Sequence, residues 1–462
     1  MFNSETYIER RKQLADLVGT GLLLFVGNEE SPMNYPGNPF HFRQDSTFLY
    51  YWGLDFPGLT AIIDIDEGRE VIFGDDFSVD DIIWMGPQPA IKEKVQRIGV
   101  SECHSTNEIS NVLINSLEKN RKIHFLPQYR ADNCIKIEHF LGIQTSLINE
   151  KASTDFIKAV VAQRSIKSAE EVKEIEIALD IAYQMHTMAM RNTKPGIYER
   201  EIAGEMEGIA KAMGSGLSFP IIFSIHGETL HNHYYGNLMK EGNIVVNDSG
   251  AESLLHYASD ITRTLPVSGK FTNKQKEIYQ IVLDAQLAAI DSMKAGIKFL
   301  DVHLLAAKVI ANGLKDLGFM RGDMDEAVTA GAHTLFIPHG LGHMLGLDVH
   351  DMENLGEDFV GYDKNTKRSD QFGLAYLRMA KKLEPGHIMT VEPGIYFIPE
   401  LIDRWKNEKK YEQFINYERV EKYKTFGGLR IEDDVAITED SHRVLGKPIP
   451  KTINEVESAC SF

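Results

Sequence analysis

Four short apolar runs punctuate the first third of the chain: "TGLLLFVG", "LTAIIDID", "EVIFG" and "RKIHFLP". They are rich in β-branched and aromatic residues and are separated by helical stretches, so each predicts a strand. No Gly-rich phosphate loop accompanies them, and together they predict a small α/β domain. At Ser168 the period of the pattern changes. Val172, Ile175, Leu179, Ala182 and Met185 recur at helical spacing, Ser168 and Glu171 form a capping-box pattern, and "KPG" at 194–196 stops the run. A second helix follows in "YEREIAGEMEGIAKAMG", then strands, then two helices over about 272–294 and 301–317, then strands again. The order helix pair, strands, helix pair, strands has the form of a diverged duplication, although the halves share little sequence. The domain boundary is expected near residues 155–168, dividing the chain into residues 1–160 and 161–462. The expected fold class is therefore α/β with two domains, a small N-terminal α/β domain and a C-terminal α+β domain.

Composition narrows the function more than the fold. The 462 residues are 43% hydrophobic and 25% charged, which is ordinary for a globular protein. A formal net charge of -18 argues against nucleic acid or an anionic membrane as the main partner. Cys103, Cys134 and Cys460 are odd in number and scattered, as in a reducing, cytoplasmic compartment, and form no thiolate zinc site. "GLLLFVG" near the N-terminus reads as a buried strand and not as a signal peptide. No apolar run approaches the roughly 20 residues of a membrane span.

The chemistry concentrates in the last half. "PHGLGHMLGLDVHD", residues 338–351, holds His339, His343 and His350. One such histidine alone reads as a core residue satisfied by the backbone, but acidic residues in apolar surroundings accompany these three. "NIVVNDSGAESLLHYASDITRT" predicts a β-hairpin, and a turn centred near Leu254 sets Asp248 opposite Asp260. Two like charges across a ladder are destabilising unless a cation lies between them. "IMTVEPGIYF" puts Glu392 at the end of an apolar strand, and "GGLRIEDDVAIT" puts Glu432 inside another. An outward-facing position for Glu432 stays open, because Asp433 and Asp434 adjoin it. Carboxylates buried in apolar strands are costly unless paired or bound to metal. Four carboxylates balance two divalent cations, and oxygen ligands with one imidazole suit Mn²⁺, with Co²⁺ and Zn²⁺ as competitors.

As a set, "NDSG", "SDITRT", "HGLGHMLGLDVHD", "TVEPG" and "GLRIEDD" resemble the metal-dependent pita-bread exopeptidases, the Xaa-Pro aminopeptidases (aminopeptidase P) and Xaa-Pro dipeptidases (prolidases). "FRQDSTFLYYWGLDFPG" is similar to the N-terminal domain of that family. The resemblance implies a pita-bread catalytic domain in which Asp248, Asp260, His343, Glu392 and Glu432 bind two divalent metals, with Asp260 and Glu432 shared. It implies that His350 contacts substrate and stabilises the developing oxyanion, and that His339 lines the pocket. It implies that His233 faces the substrate, with His231 as the alternative, that Arg430 orients the carboxylates, and that Glu392 passes a proton to the leaving proline nitrogen. The implied substrates are small proline-containing peptides, and the implied assembly is a homodimer or higher oligomer. "LRMAKKLEPG" resembles the dipeptidase pattern, with Arg378 where dipeptidases hold the substrate carboxylate; the alternative is a solvated basic face shared with Arg368, Lys381 and Lys382. This favours dipeptidase over aminopeptidase. Metal-free relatives and a catalytically silent interaction module are expected to lose ligands, and all five are present.

Overall fold

The computed structural model describes residues 1–461. The chain divides into two compact units: Met1–Arg164 with Met352–Phe359, and Ser165–Asp351 with Val360–Phe462.

The first unit is built on a five-stranded sheet. Its strands are β1 (Leu22–Val26), β2 (Thr60–Asp64), β3 (Arg69–Phe73), β4 (Glu102–His104) and β5 (Ile123–His124), in the order β4-β3-β2-β1-β5. β1 is buried along its whole length, as an apolar strand covered on both faces must be. Leu22, Leu24 and Val26 alternate onto one face and meet Ile62, Val71 and Phe73 from the neighbouring strands, with Ile109, Leu113 and Ile137 from covering helices. All four apolar runs form strands. The last keeps only two residues in the ladder, and the polar "ECH" of β4 has no run to announce it.

The second unit opens with the Ala169–Asn192 helix. Ser168 caps it: Glu171 N donates to Ser168 Oγ at 3.3 Å, and Ser168 N donates back to Glu171 Oε2 at 3.0 Å. Ile175, Leu179, Ala182 and Met185 form its buried stripe, as the spacing predicts. Helices follow at Glu199–Met213, Asn273–Ser292 and Phe299–Asp316. The strands are β6 (Gly216–Leu217), β7 (Ile222–Ser224), β8 (Ile244–Ser249), β9 (Ala251–Glu252), β10 (Ile261–Pro266), β11 (Ile388–Val391), β12 (Gly394–Tyr396), β13 (Gly428–Arg430), β14 (Asp433–Ile437) and β15 (His442–Val444). They form the sheets β10-β8-β7 and β11-β14-β15 and the pairs β12-β13 and β6-β9. A single bridge from Thr262 to Glu432 ties β10 to the chain between β13 and β14, and another from Met344 to Met389 ties residues 338–351 to β11. The site lies where the bridges occur.

Candidate metal centre

β8 and β10 pair antiparallel, and their register sets Thr262, not Asp260, opposite Asp248. This corrects the hairpin expected from the sequence. The connection is not a plain turn centred at Leu254. β9 first pairs with β6, then Ser253 N donates to Tyr257 O and His256 takes a φ of 65°, so the reversal centres on Leu255. One residue at the turn moves the register by two. Because that shift preserves the face, Asp260 still shares its side of the sheet with Thr262 and Asp248. Beyond the ladder, Asp260 N donates to Asp434 Oδ2 at 3.1 Å.

Glu432 sits in the gap between β13 and β14, where its N–H donates to Thr262 O at 3.0 Å. Its residue is 2% exposed, so the outward-facing alternative does not hold. Thr262 Oγ1 donates to Glu432 Oε2 at 2.6 Å. Neither neighbouring acid is at the surface. Asp433 pairs with Arg263 and Lys451, and Asp434 is fully buried.

His343 comes from residues 338–351, which contain no helix or strand beyond the Met344 bridge. His343 N donates to Thr390 Oγ1 at 3.1 Å and Thr390 N donates to His343 O at 3.0 Å. A Cβ on Gly342 would stand 2.0 Å from Thr390 O, so only glycine lets the segment lie this close to β11. His343 Nδ1 donates to Met344 O at 3.0 Å, which aims Nε2 at Asp260 Oδ2, 3.4 Å away, and Glu392 Oε1, 3.8 Å away. Asp260, His343 and Glu432 present ligand atoms within 4.8 Å of one another. Asp248 and Glu392 line the same cavity of about 320 Å³.

The electrostatics call for a cation. Asp248 Oδ1, Asp260 Oδ1 and Glu432 Oε1 are buried without a hydrogen-bond partner. Burial, then the charges of Asp248 and Asp434, push the Asp260 carboxyl well above the usual carboxylate range. Burial, then Asp260 and Glu392, do the same to Glu432, and burial raises Glu392. Orphaned buried oxygens and crowded acids are costly, and divalent metal answers both conditions. The donor set of carboxylate oxygens with one imidazole nitrogen therefore fits such ions.

The remaining nominated residues share this cavity: His231, His233, His339, His350, Arg378 and Arg430 all line it. Burial and then Arg430 lower the His231 imidazole, whose charge also senses Asp248, His350 and Arg378. Arg430 ion-pairs with Asp248 and donates from Nη1 to Tyr396 Oη at 3.0 Å. Since arginine only donates, the Tyr396 hydroxyl donates its own hydrogen bond to His339 Nε2, 3.0 Å away, while His339 Nδ1 donates to Gly340 O at 2.7 Å. Burial and then Arg430 hold that imidazole at about 3, so His339 is neutral with both nitrogens engaged.

Thr262, Tyr396 and Asp434 were not singled out from sequence. Tyr396 was recoverable, because it follows Glu392 at the two-residue period of "EPGIY". The roles of Thr262 and Asp434 depend on partners far along the chain.

Residues 173–439 match the family model for metallopeptidase family M24, and residues 7–124 match the aminopeptidase P N-terminal domain. The chain belongs to metallopeptidase family M24. It is 30% identical to the Xaa-Pro dipeptidase of Homo sapiens over 99% of this chain and 92% of that protein. The Pseudomonas aeruginosa aminopeptidase PepP superposes with a TM-score of 0.81 at 26% identity, covering 99% of this chain and 98% of that one. Aminopeptidase P from E. coli with the inhibitor Pro-Leu gives a TM-score of 0.80 at 28% identity, over 99% and 98% of the two chains. As an M24 member the protein is a metal-dependent peptidase, and its second unit has the pita-bread fold. Among the described residues no helix is long and apolar enough to cross a membrane.

Proposed function

We propose that this M24 enzyme hydrolyses the bond preceding proline and acts as an Xaa-Pro dipeptidase. One observation carries the choice: Arg378 lines the same cavity as the acid cluster. A guanidinium there suits the free carboxylate of a dipeptide, which it meets with paired hydrogen bonds.

Asp248, Asp260, His343, Glu392 and Glu432 would hold two divalent ions, with Asp260 and Glu432 shared. Oxygen donors with one imidazole favour Mn²⁺ over Co²⁺ or Zn²⁺. When bound, such ions polarise a carbonyl and make water nucleophilic near neutral pH. The chain's own groups do the rest. Glu392 carries a proton to the leaving proline nitrogen, the work of a carboxylate that lines the cavity beside the reacting bond. His350 faces the developing oxyanion, and His231 or His233 contacts the substrate. His339, with both nitrogens engaged, acts as a shaped neutral wall. Arg430 orients Asp248.

A second reading, Xaa-Pro aminopeptidase, is favoured by the solved neighbours, which are aminopeptidases P. We further infer a homodimer or larger homo-oligomer. The Val79–Met85 helix buries none of its residues, and Trp84 is 85% exposed, a surface suited to a second copy. Free thiols at all three cysteines support a cytoplasmic setting, and the domain boundary is placed near residue 160.

The deciding experiment compares Ala-Pro with Ala-Pro-Ala as substrates of the Mn²⁺-loaded protein. Cleavage of the dipeptide alone supports the dipeptidase. Efficient release of the first residue of the tripeptide moves the enzyme to the aminopeptidases.

A further inference from the structure

We propose that Lys167, which lies outside the cavity, is a positioning residue that fixes His350 by way of Asp351. Only the assay substrate used to test this rests on the Xaa-Pro reading. Lys167 Nζ donates to Asp351 Oδ2 at 2.8 Å, and each side chain is 1% exposed. Asp351 closes the loop of residues 346–351: its N–H donates to Met344 O at 2.9 Å, and Asp348 N donates to Asp351 Oδ1 at 3.4 Å. Within the loop, Gly346 N donates to Asp348 O at 3.1 Å. The backbone rests directly on the ion pair. A Cβ on Gly346 would stand 2.5 Å from Asp351 Oδ2 and 3.0 Å from Lys167 Cε.

The loop has no helix or strand of its own, so contacts of this kind, with Ala258 N donating to Gly346 O at 2.8 Å, hold its shape. It presents Val349 and His350 to the cavity, and the His350 ring stands 4.3 Å from the His343 ring in an edge-on contact. Lys167 is itself tied to the sheet. Its N–H donates to Gly386 O at 2.9 Å, and Gly386 N donates to Ile437 O, at the end of β14, at 2.9 Å. Lys381 lies close enough to sense the charge of Lys167, and Asp351 is the carboxylate that pairs with Lys167 there.

A buried ion pair adds little net stability over apolar residues of the same shape, while breaking it leaves an uncompensated charge. What this pair supplies is one loop conformation. It links the first residues of the second unit to the residue facing the oxyanion.

The test uses the full-length, metal-loaded protein in two variants. Lys167→Met/Asp351→Leu replaces the pair by apolar groups of similar size, and Asp351→Asn keeps the shape but removes the charge. Each is read three ways: the His350 position in a crystal structure, metal content and melting temperature, and kcat and KM on Ala-Pro. The expected result is a His350 ring displaced from its contact with His343, full metal content, and a melting temperature near that of the parent in the double variant and lower in Asp351→Asn, where Lys167 keeps a buried charge. KM should stay close to the parent value while kcat falls about 10- to 100-fold, the loss that a misplacement of about 1 Å produces. A purely structural pair would change the folded fraction without changing kcat per metal-loaded molecule. A His350 ring that stays in place, or a kcat within twofold of the parent in both variants, overturns the proposal. Failure of the parent to cleave Ala-Pro would count against the Xaa-Pro reading alone, and the ring position would then decide the role of the pair.

Discussion

His343 Nε2 stands 3.4 Å from Asp260 Oδ2, held there by the hydrogen bond from its other ring nitrogen to Met344 O. An imidazole nitrogen aimed at a crowded carboxylate is a ligand pair suited to metal. Replacing either residue by alanine should remove bound metal and peptidase activity together and leave the fold intact. Metal analysis after dialysis, activity and circular dichroism on the same samples check this. Activity near the parent rate in either variant would sink the two-metal reading.

The Thr262 hydroxyl donates to Glu432 Oε2 at 2.6 Å and accepts from Arg430 Nε at 3.1 Å. Thr262→Val keeps the shape and deletes both bonds. Groups that orient metal-binding carboxylates are typically worth about 10- to 100-fold in metal affinity. Competitive metal titration should show a loss of that size, with a stability cost of about 1–3 kcal/mol. Unchanged affinity would mean that Glu432 holds its position without the hydroxyl.

Two opposing pH effects are built into the fold. Burial holds His186 and His387 at about 3 and His303 at about 4. The unfolded chain protonates such sites below about pH 6.5, and the folded chain does so only at far lower pH. Their stabilisation is therefore present above about pH 6.5 and lost as pH falls toward the lowered values. Asp260 and Glu432 run the other way. Without metal the fold retains protons that the unfolded chain has released, so their contribution turns unfavourable as pH rises through and above the ordinary carboxylate range. Metal takes the place of those protons. The histidine effect is common to both forms and cancels in their difference. The gap in melting temperature between Mn²⁺-loaded and chelator-treated protein should widen from about pH 5.5 to about pH 8. A gap that stays constant across that range would contradict the crowding of acids at the site.

Arg378→Ala separates the two peptidase readings. If the guanidinium holds the dipeptide carboxylate, kcat/KM on Ala-Pro should fall about 10- to 100-fold, the value of a charge-assisted hydrogen bond of about 1.5–3 kcal/mol. Turnover of Ala-Pro-Ala should change little. An equal loss on both peptides would assign Arg378 to general shaping of the cavity.

If the Val79–Met85 helix joins two copies, Trp84→Asp should loosen that oligomer while altering monomer stability by no more than about 0.5 kcal/mol, since the side chain is solvent-exposed within its own chain. Sedimentation at several concentrations reads the change. An unaltered assembly would move the interface elsewhere.

Much of the site was legible because carboxylates are improbable in apolar strands. Asp248, Glu392 and Glu432 each interrupt or end an apolar run, whereas the choice of His343 among the histidines of residues 338–351 rests on the family resemblance. The hairpin register was misread because a reversal interrupted by β9 looks, in sequence, like a plain turn. β4 and β5, of three and two residues, are too short for any period to show. Thr262, Asp434 and Lys167 escaped for a different reason. Each acts through a hydrogen bond to a residue far along the chain, and only the fold selects that partner.

The carboxylates and the histidine of the site are strung along the second unit, and Glu432 is the last of them to be added. Synthesis runs from the N-terminus, so the Met1–Arg164 sheet is complete while the acids are still being added one by one. A nascent or truncated chain that stops before β14 holds Asp248, Asp260 and His343 without the carboxylate that joins them. Such a fragment lacks the Glu432 carboxylate, so hydrolytic activity is expected only once the segment that carries it has been added.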